Sequence, residues 1–153
     1  MKRVLITGAT SGYGLETAKL FKEKGYTVII ASRNPEKVSA CVEKYGFDKG
    51  YTLDVTDYDR WEEVRDEIVK DFGGIDILVN NAGAGISIVD TVDQTKENID
   101  KIIALNLTSA IYGSKIFAPI MKEQKDGDIV NISSICARHQ WAAWTVYGCA
   151  KAG

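Results

Sequence analysis

The sequence predicts an α/β domain in which a doubly wound parallel sheet carries helices on both faces. Three observations support this. Short, continuous, β-branched runs recur at Val4-Leu5-Ile6, Val28-Ile29-Ile30, Ile77-Leu78-Val79, and Ile129-Val130 with Ile132, as expected of strands buried on both faces. Stretches with apolar residues at helical spacing lie between them. The first run passes directly into Thr7-Gly8-Ala9-Thr10-Ser11-Gly12-Tyr13-Gly14, a glycine turn that opens a helix.

Taken in order, the first helix carries Leu15, Ala18 and Phe21 on one face and stops at Gly25. A weaker strand fits Gly50 to Asp54. The helix after Asp57 buries Trp61, Val64, Ile68 and Phe72 and ends at Gly73-Gly74, while Glu62, Glu63, Arg65, Asp66 and Glu67 form its solvated face. A long helix is predicted from Asn98 to about Gln124, with Ile99, Ile102, Ile103, Ala110, Ile111 and Phe117 as its apolar stripe. The resulting order is β-α-β-α-β-α-β-α-β, which builds a parallel sheet through right-handed crossovers. Ligands of such sheets bind beyond the carboxyl ends of the strands, and this puts the glycine turn at the site.

Composition narrows the class further. At 153 residues, with 45% hydrophobic and 26% charged, a single soluble domain spanning 1–153 is expected. The net charge of −2, with 19 basic and 21 acidic residues dispersed along the chain, provides no basic stripe for nucleic acid or an anionic membrane. A small-molecule partner is favoured. Cys41, Cys136 and Cys149 form no C-x-x-C pair, and the apolar run after Met1-Lys2-Arg3 is too short for a secretory signal, so reduced thiols and a cytoplasmic location are expected. Nothing approaches a transmembrane span, and no metal-ligand pattern stands out.

Gly8, Gly12 and Gly14 allow positive φ and leave no Cβ in the way of a bound anion, which would face the N-terminus of the following helix. The reading is a phosphate or dinucleotide cradle, with a simple tight turn as the alternative. Thr17 stands where G-x-G-x-x-G needs its third glycine, and Gly14-Leu15-Glu16 lacks the Lys-Ser/Thr of a P-loop. The pattern is T-G-x-x-x-G-x-G. Other chemistry-bearing stretches are Leu53-Asp54-Val55, Asn80-Asn81-Ala82-Gly83, Asn106, Asn131-Ile132-Ser133-Ser134, and Tyr147-Gly148-Cys149-Ala150-Lys151. Tyr147 and Lys151 are four apart and share a face of any helix that carries them.

With T-G-x-x-x-G-x-G, N-N-A-G and Y-x-x-x-K in this order, the sequence resembles the short-chain dehydrogenase/reductase family, collinearly from Lys2 to Gly153. The resemblance implies a Rossmann-type sheet in the order 3-2-1-4-5, with the later strands and the loop over substrate lying in about a hundred further residues. The chain is thus expected to be an incomplete domain of a longer protein, with Lys151 near a fraying helix end and the last strand an uncovered edge. The implied activity is NADP-dependent interconversion of an alcohol and a carbonyl on a small molecule. The alternative is a truncated dinucleotide-binding or sensor module without turnover. A sugar-nucleotide epimerase fits less well, since Ser11 stands where T-G-x-x-G-x-x-G has glycine.

The resemblance also assigns residues. Tyr147 becomes the general acid/base, assisted by the Lys151 ammonium and the nicotinamide charge. Lys151 also meets the nicotinamide ribose. Ser134, thirteen residues before Tyr147, holds the substrate oxygen, and Asn106 holds a water in a proton relay. Gly8, Ser11, Gly12, Tyr13, Gly14, Asn81, Ala82 and Gly83 contact the cofactor, and Asp54 and Val55 meet its adenine. An acid at the end of the second strand would select NAD. That position is Ser32, followed by Arg33, so NADP is preferred and NAD is the alternative. A homodimer or homotetramer is implied, paired through the long helix and the one begun at Tyr147. His139 is read as an ordinary loop residue. Trp141 and Trp144 either line an apolar substrate pocket or pack beneath it.

Overall fold

A computed structural model of the protein describes residues 1–139 and 141–153. Strands β1 (Arg3–Thr7), β2 (Thr27–Ser32), β3 (Lys49–Thr52), β4 (Ile77–Asn80) and β5 (Asp128–Asn131) form one sheet in the order β3-β2-β1-β4-β5. All four pairings are parallel, with Ile6 in register between Ile30 and Val79. After β3 the chain crosses to the far side of β1 to form β4. The carboxyl ends of β1 and β4 therefore flank the point where the winding reverses, which is where such sheets open a crevice.

The helices are α1 (Gly12–Glu23), α2 (Pro35–Tyr45), α3 (Tyr58–Phe72), α4 (Lys96–Ile103), α5 (Ser109–Gln124) and α6 (Thr145–Ala152). Alternate strand residues point to opposite faces and build two cores. On one face Leu5, Ile29 and Leu78 pack with Trp61 and Phe117; on the other Val4, Ile6, Val28, Ile30 and Val79 pack with Ala18 and Val38. Trp61 is fully buried, and its indole N–H donates to the Val55 carbonyl at 2.9 Å, which satisfies the one polar atom it brings into the core. None of the helices is long and apolar enough to cross a membrane among the described residues.

Two boundaries differ from the sequence reading. The third strand runs Lys49–Thr52, while Leu53 and Asp54 already belong to the connection. The long helix begins at Lys96, where Thr95 caps it by accepting from the Asn98 N–H, and is interrupted by a π turn at Ala104–Thr108. A π turn inserts a residue and rotates the face of everything that follows by about 100°. Ile111, assigned to the buried stripe, therefore points outward at 55% exposure, while Ser109, Gly113, Ile116 and Phe117 face inward.

One partly buried ion pair ties the start of the sheet to the loop before β4. The Asp76 carboxylate accepts from the Arg3 Nε at 2.9 Å, from its Nη2 at 2.8 Å and from its backbone N–H at 2.6 Å. These bonds hold the Asp76 carboxyl below its usual value of 3.8. A carboxylate more acidic in the folded state stabilises the fold above the unfolded pKa and loses that contribution as the pH falls through the folded one. Asp76→Ala is expected to lower unfolding free energy by about 2–3 kcal/mol near neutrality. In urea titrations the gap between wild type and variant should close below about pH 4. A gap that persists in acid would contradict this.

Candidate active site

A cavity of about 650 Å3 opens beyond the carboxyl ends of the strands, within the range of small-ligand sites. The glycine turn forms one end, the β2 terminus one flank, and Ser134, Tyr147 and Lys151 the other end.

The glycines act by what they leave out. Gly8 has φ +66°, and a Cβ there would stand 2.9 Å from the Ala82 Cα. A Cβ on Gly14 would overlap the Asn81 Nδ2 and lie 2.5 Å from the Gly8 carbonyl oxygen. At Gly12, with φ +54°, nothing lies within 4 Å, so that glycine is needed for its backbone angle and borders open space. Helix α1 starts here with no side-chain cap from Ser11 and no acid in its first turn, whereas Asn34, Asp57 and Thr95 cap α2, α3 and α4. The first-turn N–H groups of α1 therefore retain their capacity for an anion.

Buried polar side chains hold the turn against the loop after β4. The Thr7 hydroxyl accepts from the backbone N–H groups of Asn81 at 3.1 Å and Ala82 at 3.0 Å. The Asn81 amide donates to the carbonyls of Thr7 at 2.9 Å and Gly8 at 3.4 Å. Neighbouring Asn80 turns the other way, donating to Asn131 Oδ1 at 2.8 Å and to the Ala110 carbonyl at 3.2 Å, and so joins β4 to β5 and α5.

The other end of the cavity is assembled around Gly83. A Cβ on Gly83 would lie 2.7 Å from Asn106 Oδ1 and 2.8 Å from Lys151 Nζ. Asn106 is buried in the π turn and clamps the backbone of Ala84, accepting from its N–H at 3.0 Å and donating to its carbonyl at 2.9 Å and to that of Ile102 at 3.0 Å. With both amide protons engaged, one lone pair on Oδ1 is all this side chain retains for a water. Tyr147 and Lys151 share a face of α6, with Nζ 5.9 Å from the Tyr147 ring centroid. Lys151 is held by the end of β5. Its Nζ donates to the Ile132 carbonyl at 2.9 Å, and the Ser133 hydroxyl donates to its backbone carbonyl at 2.6 Å. Burial lowers the Lys151 pKa from its ordinary 10.5. Ser134 caps the 3-10 turn Ile135–Ala137, accepting from the Cys136 N–H at 3.2 Å, and faces the same cavity. A second tyrosine–lysine contact, Lys115 Nζ to Tyr58 Oη at 2.9 Å, joins α5 to α3 outside this cavity.

At the β2 end, Ser32 and Arg33 line the cavity, and the Thr10 hydroxyl donates to the Ser32 oxygen at 3.1 Å. The exposed Arg33 guanidinium has no carboxylate partner among the described residues. Val55 and Leu53 form wall. Asp54 does not: its carboxylate turns back to accept from the Thr56 N–H at 2.9 Å and hydroxyl at 2.8 Å. All the other candidate residues except buried Asn106 line the cavity. Thr7 and Thr10 escaped the sequence reading as site residues, although both stand inside the glycine pattern. The resemblance assigns Ser134, thirteen residues before Tyr147, and gives no role to its neighbour Ser133, which also lines the cavity.

The fold and this cavity define a doubly wound dinucleotide-binding domain. The chain belongs to the short-chain dehydrogenase family, whose model matches residues 2–153. It is 36% identical over 156 residues to a 3-oxoacyl-(acyl-carrier-protein) reductase of Thermotoga maritima, covering 99% of this chain and 63% of that protein. Among solved structures it resembles an actinorhodin polyketide ketoreductase with NADPH, at 30% identity and a TM-score of 0.94, covering 99% of this chain and 60% of the other. An NAD+-bound xylitol dehydrogenase matches at 30% identity and a TM-score of 0.92, with the same shares. The chain thus spans about three-fifths of the length of these relatives.

Proposed function

We propose that the protein carrying this chain is an NADP-dependent oxidoreductase that interconverts an alcohol and a carbonyl on a small molecule. The observation that carries this reading is one continuous cavity with an uncapped helix start and three glycines at one end, and Ser134, Tyr147 and Lys151 at the other. The residues fit a dinucleotide, since the turn has no Cβ where a phosphate would approach and α1 offers free N–H groups. Gly8, Ser11, Gly12, Tyr13 and Gly14 would hold the pyrophosphate end, and Asn81, Ala82, Gly83, Tyr147 and Lys151 the nicotinamide end. When bound, the cofactor supplies or takes the hydride.

The protein's own residues orient the substrate and manage the proton. Ser134 holds the substrate oxygen, and Tyr147 gives that oxygen a proton in reduction or takes it in oxidation. Lys151 places its charge beside Tyr147 and stabilises the phenolate left behind. Asn106 fixes the Ala84 backbone and thereby the floor of the site at Gly83, where only a glycine leaves room for the Lys151 head.

Preference for NADP rests on Ser32 in place of an acid and on the unpaired Arg33 guanidinium next to it, which suits a 2′-phosphate. Arg33→Ala is expected to weaken NADPH binding by about 10–100-fold, the worth of one or two charge-assisted hydrogen bonds. NADH affinity should not change. Fluorescence titration of both cofactors in the full-length protein tests this, and tighter binding of NADH by the wild type would overturn the preference. NADPH consumption with a panel of carbonyls tests the activity. Saturable cofactor binding with no turnover of any of them would support a binding module instead.

A further inference from the structure

Beside the Tyr147 end of the cavity the loop after β4 meets the start of α6; Gly85, Ile86, Ile88 and Trp144 stand just outside the cavity's own lining, and Trp144 lines a neighbouring hollow of about 460 Å3 with Cys136, His139 and Trp141. The loop after β4 is fixed at both ends, by Asn106 on Ala84 and by Gln94, whose Nε2 donates to the carbonyls of Ser87 at 2.9 Å and Val89 at 3.3 Å. Between these anchors Gly85 lies against the Trp144 ring, where a Cβ would come within 3.0 Å of Cζ3 and 3.4 Å of Ile88 Cδ1. Trp144 in turn meets Tyr147 edge to face, with ring centroids 5.2 Å apart and planes at 72°. Across the opening, Ile135 lines the cavity with Tyr147 and is 54% exposed; Ile86 and Ile88 are 45% and 47% exposed. Segments 84–89, 132–137 and 141–147 contain no charged residue. Next to these segments in the chain stand Arg138 and, at the Tyr147 end, Lys151, whose Nζ donates to the Ile132 carbonyl.

Ile135 stands in the cavity wall with Tyr147, and an apolar ligand that covers it gains free energy. A carboxylate or polyhydroxyl chain placed there would lose water without gaining partners. Resting on the oxidoreductase reading, we propose that the substrate is an uncharged ketone or secondary alcohol with bulky apolar substituents, aryl or branched alkyl, and that Trp144 is the wall against which they pack beside Tyr147. Trp144 thereby determines specificity, and the rigid Gly85 contact keeps its ring from swinging away.

The test measures kcat and KM of the full-length protein with NADPH for acetophenone, pyruvate and dihydroxyacetone, and with NADP+ for 1-phenylethanol and xylitol. Acetophenone and 1-phenylethanol are expected to lead in kcat/KM by about 100-fold. Trp144→Ala should raise KM for acetophenone about tenfold with a smaller change in kcat, and Trp144→Phe should restore most of it. Preference for pyruvate, dihydroxyacetone or xylitol would overturn the substrate class while leaving the oxidoreductase reading intact. An unchanged KM in a folded Trp144→Ala variant would overturn the role of Trp144. If NADPH binds and none of the five compounds reacts, the activity reading fails and this inference falls with it.

Discussion

Tyr147→Phe is expected to reduce turnover by about 10²–10⁴-fold, the range typical of removing a positioned general acid/base. The substitution deletes one oxygen and retains the ring, so the edge-to-face contact with Trp144 and the helical position on α6 survive. Folding should therefore stay close to that of the wild type, and NADPH affinity, to which Tyr147 is one of several contacts at the nicotinamide end, should fall far less than kcat. Equal losses in kcat and in cofactor binding would place Tyr147 in a structural role.

The second large effect is expected at the opposite end of the cavity. Gly14→Ala drives a methyl group into the Asn81 amide and the Gly8 carbonyl, the two groups whose hydrogen bond ties the glycine turn to the loop after β4. Overpacking of this kind costs about 1–3 kcal/mol in stability, and it also displaces the backbone that would meet the pyrophosphate. NADPH affinity should fall by about 100-fold, the equivalent of losing two good hydrogen bonds to an anion. Gly25→Ala is the control. Its φ of +81° strains any side chain, but nothing lies within 4 Å of its Cβ and it is remote from the cavity. It should lower thermal stability and leave NADPH affinity alone. Equal weakening of cofactor binding by both variants would show that general destabilisation, rather than the Gly14 clash, governs the site.

Local pattern explains what was legible in the sequence. The β-branched runs at Val4, Val28 and Ile77 appear as buried parallel strands because a sheet covered on both faces demands continuous apolar runs, whereas the run at Ile129 pairs in the same sheet as its exposed edge, with Val130 44% exposed. The glycine turn was legible because positive φ and close approach leave few residue choices, and the i, i+4 spacing of Tyr147 and Lys151 because a helix has one period. Where several distant groups compete for one side chain, sequence spacing carries no information. The resemblance gives Asn106 a water in a proton relay, and nothing in its spacing tells which backbone it grips. In the fold it sits in a π turn and grips Ala84, twenty-two residues earlier, and the same turn rotates Ile111 out of the core. Asp54 followed the family pattern into the site, but a turn bond to Thr56 directs its carboxylate elsewhere. Thr7 and Ser133 act through backbone groups that meet them only after folding, 74 and 18 residues away respectively.

Gly83, Asn106 and Lys151 occupy one small volume, and Ser133 and Ile132 hold Lys151 from the end of β5. The site therefore depends on the β4 and β5 ends remaining in register, which the Asn80–Asn131 bond secures.

Hydride transfer at the Ser134–Tyr147–Lys151 end of this cavity, with Tyr147 moving the proton, is the step on which the proposed function stands. Its most direct test is reduction of acetophenone by the full-length protein with NADPH deuterated at the transferable C4 position, followed by mass analysis of the alcohol. One deuterium is expected on the carbinol carbon, and Tyr147→Phe should slow its appearance without changing where it is found. Alcohol formed without deuterium from either C4 face, or formed as fast by Tyr147→Phe, would contradict it.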